Sequence, residues 1–182
     1  MARVRGGDAD AYAELVRRHA PIARRTAVLL GAGADADDVV QEGFVKAYRA
    51  LGTFRDGAEF RPWLLRIVAN EARNAHRSAV RRGAREENAA VLDADLLHRA
   101  GDAADPAQAV LLADRRVGLL AALRGLPEPH RLVVTCRYLL DLDESETATV
   151  LGWPRGTVKS RLHRALGRLR AELRTAEEVT DA

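Results

Sequence analysis

Apolar residues recur at helical spacing through most of the chain. From Ala11 to Leu30 the repeat is carried by Tyr12, Leu15, Val16, Ile22 and Ala23, with Pro21 marking a bend or a new start, and Gly31-Ala32-Gly33 breaks it. The next helix, capped by Asp35 or Asp37, places Val39, Val40, Phe44 and Ala47 on one face, continued by Tyr48 and Leu51. Asp38, Gln41, Glu42 and Lys46 are left on its other faces. Residues 52–60 read as a loop carrying Phe54 and Phe60. The helix after it has Trp63, Leu64, Ile67, Val68 and Glu71 or Ala72 as its stripe, and Arg66, Asn70, Arg73, Asn74 and Arg77 on an adjacent polar arc.

Between about Ser78 and Pro106 the chain turns rich in Ala, Asp and Glu without a sustained stripe, the composition of a linker. Periodicity returns near Ala107, with Val110, Leu111, Val117, Leu120 and Leu123 leading to a break over Gly125–Pro129. A helix is expected from about His130 to Leu139, a short one from Glu144 to Leu151, and a long one from just after Gly152-Trp153-Pro154 to about Leu173. The expected architecture is all-α: two small helical domains, residues 10–80 and 107–174, joined by a flexible linker over 81–106. The first ten residues and the tail from Thr175 are expected to be dispensable for both domains.

Composition supports helices. Ala, Leu, Arg and Glu dominate, and aromatic residues make up only 4%. A formal charge of +3 says little by itself, but its distribution is uneven. Residues 34–42 hold the acids Asp35, Asp37, Asp38 and Glu42 and no base, whereas residues 61–82 hold six arginines against Glu71 alone. The linker is acidic, and residues 155–174 carry seven basic side chains against Glu172. Cys136 has no second cysteine to pair with and lies in an apolar run, so it reads as a small buried side chain. No apolar stretch approaches the roughly 20 residues that span a bilayer, and a cytoplasmic protein without membrane insertion is expected.

The segment from Glu144 to Arg174 has the pattern of a helix-turn-helix: a short helix with Ala148 and Leu151, a glycine-containing turn, a proline, and a long second helix. There Val158, Leu162, Ala165, Leu166, Leu169 and Leu173 must pack inward, which leaves Lys159, Ser160, Arg161 and Arg164 outward or at the margins. Such a helix can enter a major groove, with Thr157 and Ser160 placed for phosphate and Arg161 and Arg164 long enough for base edges. The alternative is a solvated basic face without a ligand. His163 reads as a surface or packing residue.

In the first domain an acidic-polar helix precedes a basic one, which suits simultaneous docking to a protein and to nucleic acid; a charge-separated fold tied by internal ion pairs is the other reading. Phe54, Phe60 and Trp63 near Asn70 and Arg73 could hold unstacked bases or fill a small core. No catalytic constellation is present. Asp35, Asp37 and Asp38 sit at a helix start, where caps and dipole explain them, so no metal or cofactor is expected. Ser145 and His163 have no ordered acid partner for nucleophilic chemistry.

Three ordered stretches resemble bacterial RNA polymerase sigma factors of the sigma-70 family, extracytoplasmic-function (ECF) subgroup: residues 37–42 with Phe44, residues 60–67 with Asn70, and residues 151–165. The resemblance covers about residues 10–80 and 107–174 and implies a non-enzymatic initiation factor that binds core polymerase and assists promoter melting. It implies that Asp38, Gln41 and Glu42 meet the clamp helices of the largest subunit. Phe54, Arg66, Asn70, Arg73 and Arg77 would serve the minus-ten element, and the loop over residues 52–59 would help hold a flipped base. The second domain would dock on the flap of the second-largest subunit and read the minus-35 element with Thr157, Lys159, Ser160, Arg161 and Arg164. An anti-sigma factor is a further implied partner, since the linker would permit closure around one. Thr147 departs from the bulky aliphatic usual in the family at that place. A polymerase-independent helix-turn-helix regulator and an interaction adaptor are the competing functions.

Overall fold

A computed structural model describes residues 1–55, 57–82 and 118–180. The linker reading beyond residue 82 and the apolar positions Val110, Leu111 and Val117 lie outside the described residues. The helices in chain order are α1 (Ala2–Arg5), α2 (Ala9–Leu29), α3 (Ala36–Arg49), α4 (Phe60–Arg82), α5 (residues 118–125), α6 (Glu128–Val134), α7 (Glu144–Leu151) and α8 (Arg155–Thr180). The expected all-α architecture with a helix-turn-helix near the C-terminus is present.

Asp8 starts α2 by accepting the Ala11 amide at 2.9 Å. Pro21 does not start a new helix, one of the two outcomes expected there: α2 runs through it. Pro21 and Arg17, whose carbonyl loses its partner there, are both exposed. Neither acid expected to cap α3 does so through its side chain. Asp35 makes no capping hydrogen bond, and Asp37 pairs instead with Arg24 at 2.9 Å. Both Asp37 and Asp38 lie in the first turn, where a carboxylate opposes the helix dipole favourably. Helices α3 and α4 approach closely at Gly43, where an added Cβ would stand 2.9 Å from Cγ2 of Val68.

The N-terminal residues, expected to be dispensable, make contacts with the first domain. Val4 is buried, α1 packs on α2, and Arg5 donates to the Phe54 carbonyl while its guanidinium lies over the Phe54 ring. A four-residue helix is too short to show a stripe in sequence, so only tertiary contact reveals the anchor.

In the second domain α6 starts at Glu128 rather than His130, because Pro129 occupies the first turn, where a missing N–H costs no hydrogen bond. The helix widens into a π-turn over Thr135–Leu139, closed by the Leu140 amide on the Thr135 carbonyl at 2.9 Å. Cys136 is buried there as expected, and burial pushes its thiol up to about 12.

Helix α4 is buried on a wider arc than its stripe predicts. Leu64 and Val68 face the first domain's core, yet Leu65, Ala69 and Pro62, a quarter-turn or more away, are buried too. The cause is α7, which lies against α4. One buried cluster runs from Leu65 and Ala69 through Cys136, Leu140, Val150 and Leu151.

Candidate nucleic-acid interface

The helix-turn-helix is fixed at both ends of α7. At its start the Asp143 carboxylate accepts the Glu146 amide at 2.8 Å while Glu146 accepts the Asp143 amide at 2.9 Å, a reciprocal capping box. The Glu146 amide, followed by the Ser145 amide and the charges of Arg137 and Arg155, holds the Asp143 carboxyl below its usual range. At its end Gly152 adopts φ +69°, the left-handed conformation that a Cβ disfavours, and the Trp153 amide closes on the Ala148 carbonyl at 3.0 Å. Arg155 reaches back to Glu144 at 3.4 Å, tying the first turn of α8 to that of α7.

On α8 the side chains of Val158, Ala165 and Leu169 are buried, and Lys159, Ser160, His163 and Arg164 are exposed. Ser160 and Arg164 therefore point away from the core, as the periodicity requires. His163 is exposed on the same outward face, beside Ser160. Thr157 is half-buried and its amide is taken by the Pro154 carbonyl at 2.9 Å. Arg161 is also half-buried, with its guanidinium carbon 4.1 Å from the centre of the Trp153 ring, so it lies at the margin of the helix rather than on its outward face.

In the first domain Asp38, Gln41 and Glu42 form an exposed polar strip on α3. Glu42 lies 3.6 Å from Lys46, which reaches Glu71 of α4 at 2.7 Å, and these carboxylates raise the Lys46 pKa, Glu71 most. Internal ion pairing thus coexists with the exposed acidic strip. Beside the strip, Tyr12, Val16, Val40, Phe44 and Tyr48 line an apolar groove of about 730 Å³ between α2 and α3.

On α4, Arg66, Asn70 and Arg77 are exposed and Arg73 is half-buried. Arg73 donates to Asn70 and Arg77 to Asn74 one turn back, which aligns the arc along a single edge. Phe54 departs from its expected role as a base platform. It is 4% exposed, and its ring meets Trp63 at 5.1 Å and Phe60 at 6.0 Å, so it fills the core. Trp63 remains half-buried at the rim.

This arc faces the second domain. Arg61 lies 3.5 Å from Glu146 and donates to the Leu140 carbonyl at 3.3 Å. A cleft of about 640 Å³ has Phe54, Trp63 and Arg66 on one wall and Asp143, Ser145, Glu146 and Thr149 on the other. A second, of about 530 Å³, sets Asn70, Arg73 and Arg77 opposite Glu128. Among the described residues no His, Cys, Asp and Glu cluster suits a metal, and no helix is long and apolar enough to cross a membrane.

Residues 15–82 match Sigma-70 region 2, and residues 116–169 match Sigma-70, region 4. The chain is similar to the ECF RNA polymerase sigma-E factor of Escherichia coli, 34% identical over 170 residues that span 91% of this chain and 87% of that one. It is 36% identical over 171 residues to the RNA polymerase sigma-H factor of Pseudomonas aeruginosa, with the same shares of 91% and 87%. The solved structure of CnrH in complex with the cytosolic domain of CnrY is similar over 96% of this chain and 94% of that one, with TM-score 0.68 and 30% identity. The sigma factor RpoE in complex with the anti-sigma factor NepR, from Bartonella quintana, shares the fold at TM-score 0.60 and 23% identity, over 90% of this chain and 97% of that one.

Proposed function

This chain belongs to the ECF subgroup of sigma-70 family RNA polymerase sigma factors and directs polymerase to promoters without catalysing a reaction, and on that premise we propose how its residues divide the work. The exposed strip of Asp38, Gln41 and Glu42 docks on the clamp helices of the largest subunit. The exposed face of α8, with Lys159, Ser160 and Arg164, enters the major groove of the minus-35 element, while Thr157 and Arg161 meet its backbone. Leu119 and Tyr138, large apolar side chains left exposed in the second domain, suit docking on the flap of the second-largest subunit. This division takes domain bounds near residues 10–80 and 107–174, with the contacts of Val4 and Arg5 extending the first towards the N-terminus.

The edge of α4 formed by Arg66, Asn70, Arg73 and Arg77 takes the strands of the minus-ten element, with Trp63 rather than Phe54 as the ring nearest an extruded base. Unstacking costs a few kcal/mol per base, and capture of displaced bases offsets it without bond chemistry. In the arrangement described, α7 stands beside that edge, so minus-ten binding requires the domains to part. Fixing both on polymerase supplies the separation and makes the second DNA contact effectively intramolecular. An anti-sigma factor is the partner that would hold the domains together; the relative CnrH, solved with the cytosolic domain of CnrY, supports a protein partner on this fold.

The observation that carries the reading is the exposed basic face of α8 opposite its buried stripe, in one chain with the acidic strip of α3. Run-off transcription with purified core polymerase on a panel of genomic promoters tests it. Promoter-specific transcripts that depend on this protein are expected. Sequence-specific duplex binding by the protein alone, with no such transcripts, would instead establish a polymerase-independent regulator.

A further inference from the structure

We propose that Trp153 is a positioning residue for promoter binding: its indole holds the Arg161 guanidinium at the flank of α8, where it grips the DNA backbone and does not choose a base. The inference rests on the reading of α8 as the minus-35 helix.

The turn makes Trp153 a rigid platform. The left-handed Gly152 precedes it, its own amide is bonded to the Ala148 carbonyl at 3.0 Å, and Pro154 fixes the next φ. The indole is half-buried and packs against the core cluster, so one side is seated and the other is presented to Arg161. The guanidinium carbon stands 4.1 Å from the ring centre, well within the roughly 6 Å over which a ring attracts a cation.

A guanidinium held by its face keeps its N–H edge for other partners. That planar fork matches two oxygens of a phosphate, and a side chain already held loses less freedom on engaging one. The register decides the target. Arg161 is half-buried beside the stripe of Val158 and Ala165, whereas Ser160, His163 and Arg164 are exposed on the outward face that would meet base edges. A flanking arginine on the turn side lies where the groove wall, the sugar-phosphate backbone, would pass.

The test uses the full chain with core polymerase and a duplex carrying a promoter that the wild-type holoenzyme transcribes, titrated at several salt concentrations. Arg161→Ala should weaken binding and lower the salt slope by about 0.9, the value for one lost phosphate contact. Trp153→Leu keeps apolar bulk without an aromatic face and should weaken binding about two- to fivefold. Trp153→Phe should lie near wild type. In an Arg161→Ala background Trp153→Leu should cost nothing further, and base changes in the minus-35 element should scale wild type and Trp153→Leu alike.

If Trp153→Leu weakens binding equally with and without Arg161, the residue merely supports the turn and the proposal is overturned. It is also overturned if Trp153→Leu relaxes discrimination at one base pair. If Arg161→Ala binds like wild type, the proposal falls; loss with Lys159→Ala and Arg164→Ala would show that α8 still reads DNA, and no loss there would sink the premise as well.

Discussion

Glu146 divides its carboxylate between two domains: Oε2 accepts the Asp143 amide at 2.9 Å to complete the cap of α7, while Oε1 lies 3.5 Å from Nη1 of Arg61 on α4. One side chain therefore starts the helix-turn-helix and links it to α4, the helix that carries the edge proposed for minus-ten DNA. The cap requires only an accepting oxygen; the interdomain link requires charge.

Glu146→Gln separates those roles, since glutamine serves equally in a capping box. Stability should be nearly unchanged, while closure weakens by up to about 1 kcal/mol, as befits a partly exposed pair. Energy transfer between dyes placed on α3 and α8 should report a larger separated fraction, and binding to a single-stranded minus-ten oligonucleotide should tighten. An unaltered dye distance together with unaltered oligonucleotide affinity would remove Arg61–Glu146 as a determinant of closure.

Thr147 is wholly buried, and among the described residues its hydroxyl has no hydrogen-bond partner. An orphaned buried hydroxyl costs about 1–3 kcal/mol, and valine has nearly the same shape. Thr147→Val should raise the urea midpoint by the equivalent of about 1 kcal/mol with an unchanged m-value. A lower midpoint would mean that the hydroxyl is satisfied in solution.

Stability should fall in two steps on acidification. Burial, followed by Arg168, Arg164 and Arg161, holds His130 below its ordinary 6.5, and burial, then Arg18 and Arg61, does the same to His19. Below pH 6.5 the unfolded chain then binds more protons than the folded one, so stability declines from there until the pH has passed both folded values. Asp8, Glu14 and Asp143 have carboxyls held low in the folded state, so their contribution is present above about pH 4.5 and lost as the pH falls through their folded values. Thermal melts from pH 8 to pH 3 should show both declines. His130→Gln should flatten only the first, and a slope it leaves untouched would remove His130 as a source.

Charge reversal of Asp38 and Glu42 to lysine should reduce association with core polymerase by about tenfold or more, in keeping with charge pairs at interfaces. Thermal stability should change little, because both side chains are exposed and, among the described residues, Glu42 pairs only with half-buried Lys46. Retained core association in a pull-down would move the docking surface away from α3.

Arg5 and Val4 make the N-terminal segment structural. Deleting residues 1–7 should destabilise the first domain by about 1–3 kcal/mol, the scale of one fully buried aliphatic side chain, and raise hydrogen exchange in the loop after Leu51. A truncated chain with wild-type stability would show that α1 merely rests on α2.

Local patterns made much of this molecule legible. The spacing of Val158, Ala165 and Leu169 and the Gly152-Trp153-Pro154 turn located the helix-turn-helix, because helical register and left-handed geometry are properties of a few neighbouring residues. The polar strip Asp38, Gln41 and Glu42 and the edge Arg66, Asn70 and Arg77 were likewise separable from their stripes by period alone. What periodicity could not decide was what else packs against a face. Phe54 looked as suited to a base as to a core until Arg5, Phe60 and Trp63 were placed around it. Leu65 and Ala69 lay off the predicted stripe of α4, and elements from far along the chain, α7 among them, share the cluster that buries them. Trp153 and Arg161 are eight positions apart in sequence, and a helix turn had to be folded before one could be seen over the other. A residue's own helix fixes the direction of its side chain; the partner it meets is fixed by elements whose approach no local repeat encodes.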